Sequence, residues 1–99
     1  MNILTPLVGL SNCKECPLYE GANVVEGVGP TPTHIMLVGE APGALEDEIG
    51  EPFVGASGAK LEILLEQAQL CREDVYITNL VKHRPPRNRN PYKREINAC

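Results

Sequence analysis

The rhythm of apolar and polar positions changes along the chain, and each change marks an expected element. Residues 34–38, HIMLV, form a short apolar run that stops at Gly39, the pattern of a buried strand. Residues 39–58, GEAPGALEDEIGEPFVGASG, are broken repeatedly by Gly and Pro and read as one long shaped loop, a feature that is usually functional in a small domain. From Ser57, placed as the N-cap, Leu61, Leu64, Leu65 and Ala68 recur at helical spacing with Glu62, Glu66 and Gln67 elsewhere. This predicts an amphipathic helix whose stripe is core. DVYIT at 74–78 reads as a second buried strand, so the order strand, loop, helix, strand predicts an α/β unit with a parallel right-handed crossover. The chain reads as a single domain in three parts: an irregular segment at 1–33, the β-loop-α-β core at 34–81 and a basic, Pro-rich segment at 82–99.

Charge sharpens that division. The chain has 99 residues and a formal net charge of −4, but residues 1–81 carry 12 acidic and 3 basic side chains, whereas residues 82–99 carry 6 basic and 1 acidic. The acidic average hides a basic strip of +5. No apolar run reaches bilayer-spanning length, and MNILTPLVGL lacks a basic n-region and a clear cleavage site, so the expectation is a soluble, cytoplasmic protein without a membrane. Two disulfides among Cys13, Cys16, Cys71 and Cys99 suit a secreted chain, and metal ligation suits this one better.

Several residues could carry chemistry. Cys13 and Cys16 form a C-x-x-C, a spacing shared by metal sites and redox dithiols. Its irregular context, followed by Pro17, favours a metal or cluster, with His83 and Cys99 as completing partners and Cys71 as a buried apolar thiol. GEAPG directly follows the first strand, where ligands bind at the carboxyl edge of a parallel sheet; it has neither the dinucleotide glycine spacing nor a P-loop lysine. Glu40, Glu46 and Asp47 are candidate catalytic carboxylates, while Glu48 and Glu51 read as solvated loop charge. Phe53, the only Phe, either anchors the loop or stacks on a flat ring. Asn79 offers a donor and an acceptor for a base edge, or caps the strand. Lys82, Arg84, Arg87 and Arg89 are candidate phosphate contacts, with solubility as the bland alternative, and His34 reads as structural.

Taken in order, C-x-x-C, GEAPG, ED, PFVGASG, YITNLVKHRPPRNRNP and a closing Cys resemble the family 4 uracil-DNA glycosylases, the iron-sulfur branch of that superfamily. The resemblance runs from about Cys13 to Cys99 and covers the N-terminal half of such proteins. It implies a three-layer α/β/α fold around a small parallel sheet, incomplete in this chain. It also implies a DNA-repair hydrolase that flips uracil out of uracil-containing DNA and cleaves its N-glycosidic bond. The position of Glu40 lies in the first active-site motif; Ala41 would lie against the pyrimidine, Phe53 would stack on it and Asn79 would bond its edge. These matches favour the functional readings of Phe53 and Asn79.

The family's 4Fe-4S cluster is held by four cysteines, and the third of them, in VKCRPP, is replaced here by His83. Imidazole can replace thiolate at iron. The resemblance therefore implies a cluster on Cys13, Cys16, His83 and Cys99, with two alternatives: a tetrahedral Zn on the same residues, or a cluster that is labile or lost because His83 does not ligate. The family's later motif, a His followed by Pro and a small residue, has no counterpart here. The expectation is a chain with part of the sheet, an uncovered apolar face and doubtful activity, and the rival function is a noncatalytic metal-bearing module that binds nucleic acid.

Overall fold

In the computed structural model, which describes residues 13–99, the chain is organised around two short strands, β1 (Met36–Gly39) and β2 (Tyr76–Asn79). They pair in parallel with Met36 opposite Tyr76 and Gly39 opposite Asn79, so both strands end level with each other. All four residues of β2 are buried, whereas β1 alternates between exposed and half-buried positions. The difference follows from neighbours: β2 has β1 on one side and, on the other, the segment around Val28, which exchanges two backbone hydrogen bonds with Ile77 (2.8 and 2.9 Å). The expected α/β order and parallel pairing are present. Among the described residues the sheet has two strands, and Met36 and Val38 on β1 are about half exposed (54% and 51%).

Three helices surround this pair: α1 (Ala44–Ile49), α2 (Ala56–Gln67) and α3 (Lys93–Ala98). The region read as one long loop contains α1, which Gly43 opens and Gly50 closes in the left-handed conformation at φ 90°. Helix α2 starts two residues earlier than expected: Gly55 is its N-cap and Ser57 lies inside its first turn. Its buried face is narrower than the leucine stripe suggested. Leu65 packs with Val75 and Ile77, supported by Leu37, Phe53, Leu61 and Leu70, while Leu64 and Ala68 are exposed. Two strands present too little surface to cover a full stripe. Cys71, expected as a buried thiol, is exposed on the 3-10 turn Arg72–Asp74. His34 is exposed just before β1.

The basic strip also holds an element that the sequence reading left out. Helix α3 follows Pro91, and its third residue, Glu95, accepts from the Tyr92 N–H at 2.7 Å. Glu95 is 98% buried, and both its oxygens take the Arg89 guanidinium at 2.8 Å, a bidentate pair. The Arg89 bond, then the Tyr92 N–H, overcome burial and hold the Glu95 carboxyl down at about 2, from an ordinary 4.5. A depressed folded-state value contributes stability that is complete above about pH 4.5 and lost as pH falls through about 2. We therefore expect wild-type thermal midpoints to fall with acidification across that window, relative to Glu95→Gln. At pH 7 the variant should be less stable by about 3–5 kcal/mol, the range for breaking a buried pair. Parallel midpoint curves for the two proteins would contradict this assignment.

Candidate active site

Because β1 and β2 end level, Gly39 and Asn79 stand side by side at the carboxyl edge of the sheet. A cavity of about 490 Å3 opens there, lined by Glu40, Ala41, Glu46, Phe53 and Asn79 among others. A Cβ placed on Gly39 would lie 2.5 Å from Asn79 Oδ1 and 2.6 Å from the Phe53 ring. The amide and the aromatic edge therefore converge over a position that only glycine leaves open. Asn79 is buried at 3% exposure, and its side chain is committed to the cavity wall, not to solvent.

Phe53 is held in an unfavourable conformation, φ 54°, which a bulky residue adopts only when its surroundings enforce it. Two groups supply that enforcement. Arg72 Nη2 donates to the carbonyls of Pro52 and Phe53, each at 2.7 Å, while its Nη1 pairs with Glu62 on α2. On the other side, Glu46 accepts from the backbone N–H groups of Gly43 (3.1 Å), Val54 (3.0 Å) and Gly55 (2.8 Å). Burial pushes the Glu46 carboxyl up, but the N–H donors led by Gly55 outweigh it and hold the group below its ordinary value. Glu46 is thus an ionised strut of the loop. Gly58 lets α2 approach the Phe53 carbonyl more closely than a side chain would permit.

The three candidate carboxylates separate in space. Glu40 is exposed and lines the cavity, and Glu46 lines it with its oxygens tied to backbone. Asp47 points elsewhere: its Oδ1 accepts from the Asn23 N–H at 2.7 Å, fastening α1 to the N-terminal segment. It lies outside the cavity lining.

The candidate phosphate contacts separate as well. The Lys82 ammonium donates to the Asn79 carbonyl. Burial holds its pKa below the ordinary lysine value, partly offset by Cys99. Arg89 is paired to Glu95, lies 3.7 Å from the Tyr92 ring centroid and forms part of the cavity wall. Arg84 uses one nitrogen on Asn88 Oδ1 (2.7 Å), and Arg87 is exposed at φ 57°. Arg94, 4.9 Å from the Tyr92 ring centroid, lines a second cavity with Arg84 and Arg89.

Comparison with known proteins gives the family. The model of the uracil DNA glycosylase superfamily matches residues 26–99. The chain belongs to that superfamily. It is similar to the type-4 uracil-DNA glycosylases of Pyrobaculum aerophilum and Archaeoglobus fulgidus, 50% identical to each over 91 residues, 91% of this chain and 46% of theirs. The Thermotoga maritima type-4 enzyme is likewise 50% identical over 91 residues, 47% of its length. The chain spans about half the length of the curated relatives it matches. No helix among the described residues is long and apolar enough to cross a membrane.

Of the four expected metal donors in this superfamily member, the structure brings Cys13 and His83 to one cavity. The Val24–His83 bridge brings the N-terminal segment to the basic strip, where Cys13 and His83 share a cavity of about 260 Å3. His83 is buried at 6% exposure; desolvation lowers its pKa, with Asp47 pushing it back up, and so favours the neutral imidazole that a metal requires. Cys99 follows α3, and burial pushes its thiol up. The Lys82 N–H and ammonium oppose that rise, and nearby Cys13 and Cys16 add to it. Cys13 and His83 line one cavity, and thiol and imidazole are donor types that a thiophilic metal group takes. Among the described residues no three donors converge on a single ion.

The packing over Gly39 is directly testable. Gly39→Ala should force Phe53 or Asn79 aside and destabilise the fold by about 1–3 kcal/mol, the range for an overpacked site. An unchanged denaturation midpoint would contradict the convergence of the two side chains on Gly39.

Proposed function

We propose that the chain carries uracil-DNA glycosylase chemistry, hydrolysing the N-glycosidic bond of a uracil flipped out of DNA. The observation that carries the reading is the convergence of Phe53 and Asn79 over Gly39 in a cavity at the sheet edge. A flat pyrimidine stacks on the Phe53 ring. The Asn79 amide supplies one donor and one acceptor, matching the O4 acceptor and N3–H donor of uracil, and Ala41 leaves room for the ring. The bond from C1′ to N1 breaks with its electron pair leaving on the base. Water then forms the new bond to C1′ and loses a proton to solvent. Glu40, an exposed carboxylate lining the cavity, would face the positive sugar or orient that water. Glu46, tied to three N–H groups, shapes the site. The identity to type-4 uracil-DNA glycosylases supports the same assignment. Uracil-containing DNA is the proposed partner and the cytoplasm the proposed compartment. Arg84, Arg87, Lys93 and Arg94 are the cations left to meet phosphates.

For the cofactor we propose a 4Fe-4S cluster on Cys13, Cys16, His83 and Cys99. When bound, the cluster would act as a structural clasp between the N-terminal segment and the basic strip. The resemblance of the ordered motifs to the iron-sulfur family puts a cluster ahead of zinc on these residues. Protein prepared without oxygen should contain iron and sulfide and absorb in the visible, and His83→Ala should lose or weaken both signals. Zinc in place of iron, or an unaltered spectrum in the variant, would overturn the ligand set.

Uracil release from a labelled single strand tests the activity, using this chain and a chimera joining it to the second half of the Thermotoga maritima relative. The chimera should release uracil, and Asn79→Ala should lower the rate by at least about 100-fold, as for loss of a donor to developing negative charge. If both proteins leave the strand intact, the glycosylase reading fails. Salt-sensitive DNA binding indifferent to Phe53→Ala and Asn79→Ala would then identify a noncatalytic binding module.

A further inference from the structure

Lys82 stands in the basic strip, yet its ammonium and its carbonyl are both turned to partners within the fold. Its ammonium donates to the carbonyl of Asn79, and its own carbonyl accepts from the Val25 N–H at 2.6 Å. The partner of the ammonium is informative. Asn79 is the last residue of β2, so its carbonyl lies where strand pairing stops and a buried oxygen needs another donor. On the other side of the same peptide, the Leu80 N–H donates to the Gly39 carbonyl at 2.9 Å. The Asn79–Leu80 peptide is therefore clamped at both ends, one clamp being the Lys82 ammonium. A charge-assisted bond of this kind is about twice as strong as a neutral one. The rotation of that peptide sets the direction in which the Asn79 side chain leaves the backbone and meets the cavity.

We propose that Lys82 is a positioning residue for base recognition: by capping the Asn79 carbonyl it fixes the Asn79 amide against the edge of the base, and it makes no phosphate contact. This rests on the cavity receiving uracil, as proposed above. A phosphate contact and a positioning role differ in what they do to salt dependence. Neutralising one single-strand phosphate contributes about 0.7 to the slope of log K against log salt, independent of base identity. A residue acting through Asn79 changes discrimination between bases and leaves that slope alone.

The experiment measures binding of the 99-residue chain to two single-stranded oligonucleotides that differ only in uracil or thymine at one central position, across a series of salt concentrations. Wild type should prefer uracil. Lys82→Met should lose at least about tenfold of that preference with an unchanged slope. In an Asn79→Ala background the same change should cost no further preference, because the two residues act as one unit. If Lys82→Met fails to fold, Lys82→Gln, which keeps a donor without the charge, should retain part of the preference at the same slope. A slope shallower by about 0.7 in the folded neutral variant makes Lys82 a phosphate contact and overturns the proposal, as does full retention of uracil preference. A wild type that does not prefer uracil overturns the proposed function itself, and the positioning role with it.

Discussion

The site depends on one carboxylate. Glu46 gathers the N–H of Gly43 from one end of the loop and those of Val54 and Gly55 from the other, closing the intervening residues into a ring. Without that closure nothing in the local sequence would keep Phe53 at φ 54°, a conformation costing about 1–3 kcal/mol. Hydrogen bonds to a charged acceptor contribute about 1.5–3 kcal/mol each, so three of them outweigh the strain even after desolvation. Arg72 completes the restraint from the opposite side through the Pro52 and Phe53 carbonyls. The aromatic ring is thereby placed before any ligand arrives, which lowers the ordering cost of binding.

Charge is used in two ways along the same strip. Arg89 and Lys82 are directed inward, one to buried Glu95 and the other to the Asn79 carbonyl; Arg89 is part of the cavity wall and Lys82 bonds a residue of it. Arg84, Arg87 and Arg94 retain exposed or half-buried positive charge around it. The +5 of the strip is thus an upper bound on what a nucleic-acid backbone meets. Next to Lys82 in sequence, His83 is one of the donors proposed for the cluster, so that corner and Asn79 are joined through adjacent residues of the strip.

Much of this was legible in the chain. The apolar runs located both strands to within two residues, and Gly39, Phe53 and Asn79 stood in motifs whose order marked the family. What escaped was short or nonlocal. Helices α1 and α3 have six residues each, too few for a hydrophobic period, and their signal lay in Glu46 and Glu95 at the third helical position. The sequence showed Glu46, Asp47, Lys82 and Arg89 as charges, but only the fold shows which charges are committed to backbone or to each other. The positive φ of Phe53 has no sequence signature, because the bonds that enforce it come from residues 7 and 19 positions away.

The central claim is that Phe53 and Asn79 together form a receptor for uracil, and magnetic resonance titration of the labelled protein with free uracil tests it most directly. The account predicts saturable shifts in the Asn79 side-chain amide and the Phe53 ring, with cytosine producing much smaller ones at equal concentration. Shifts confined to other residues, or equal responses to the two bases, would contradict it.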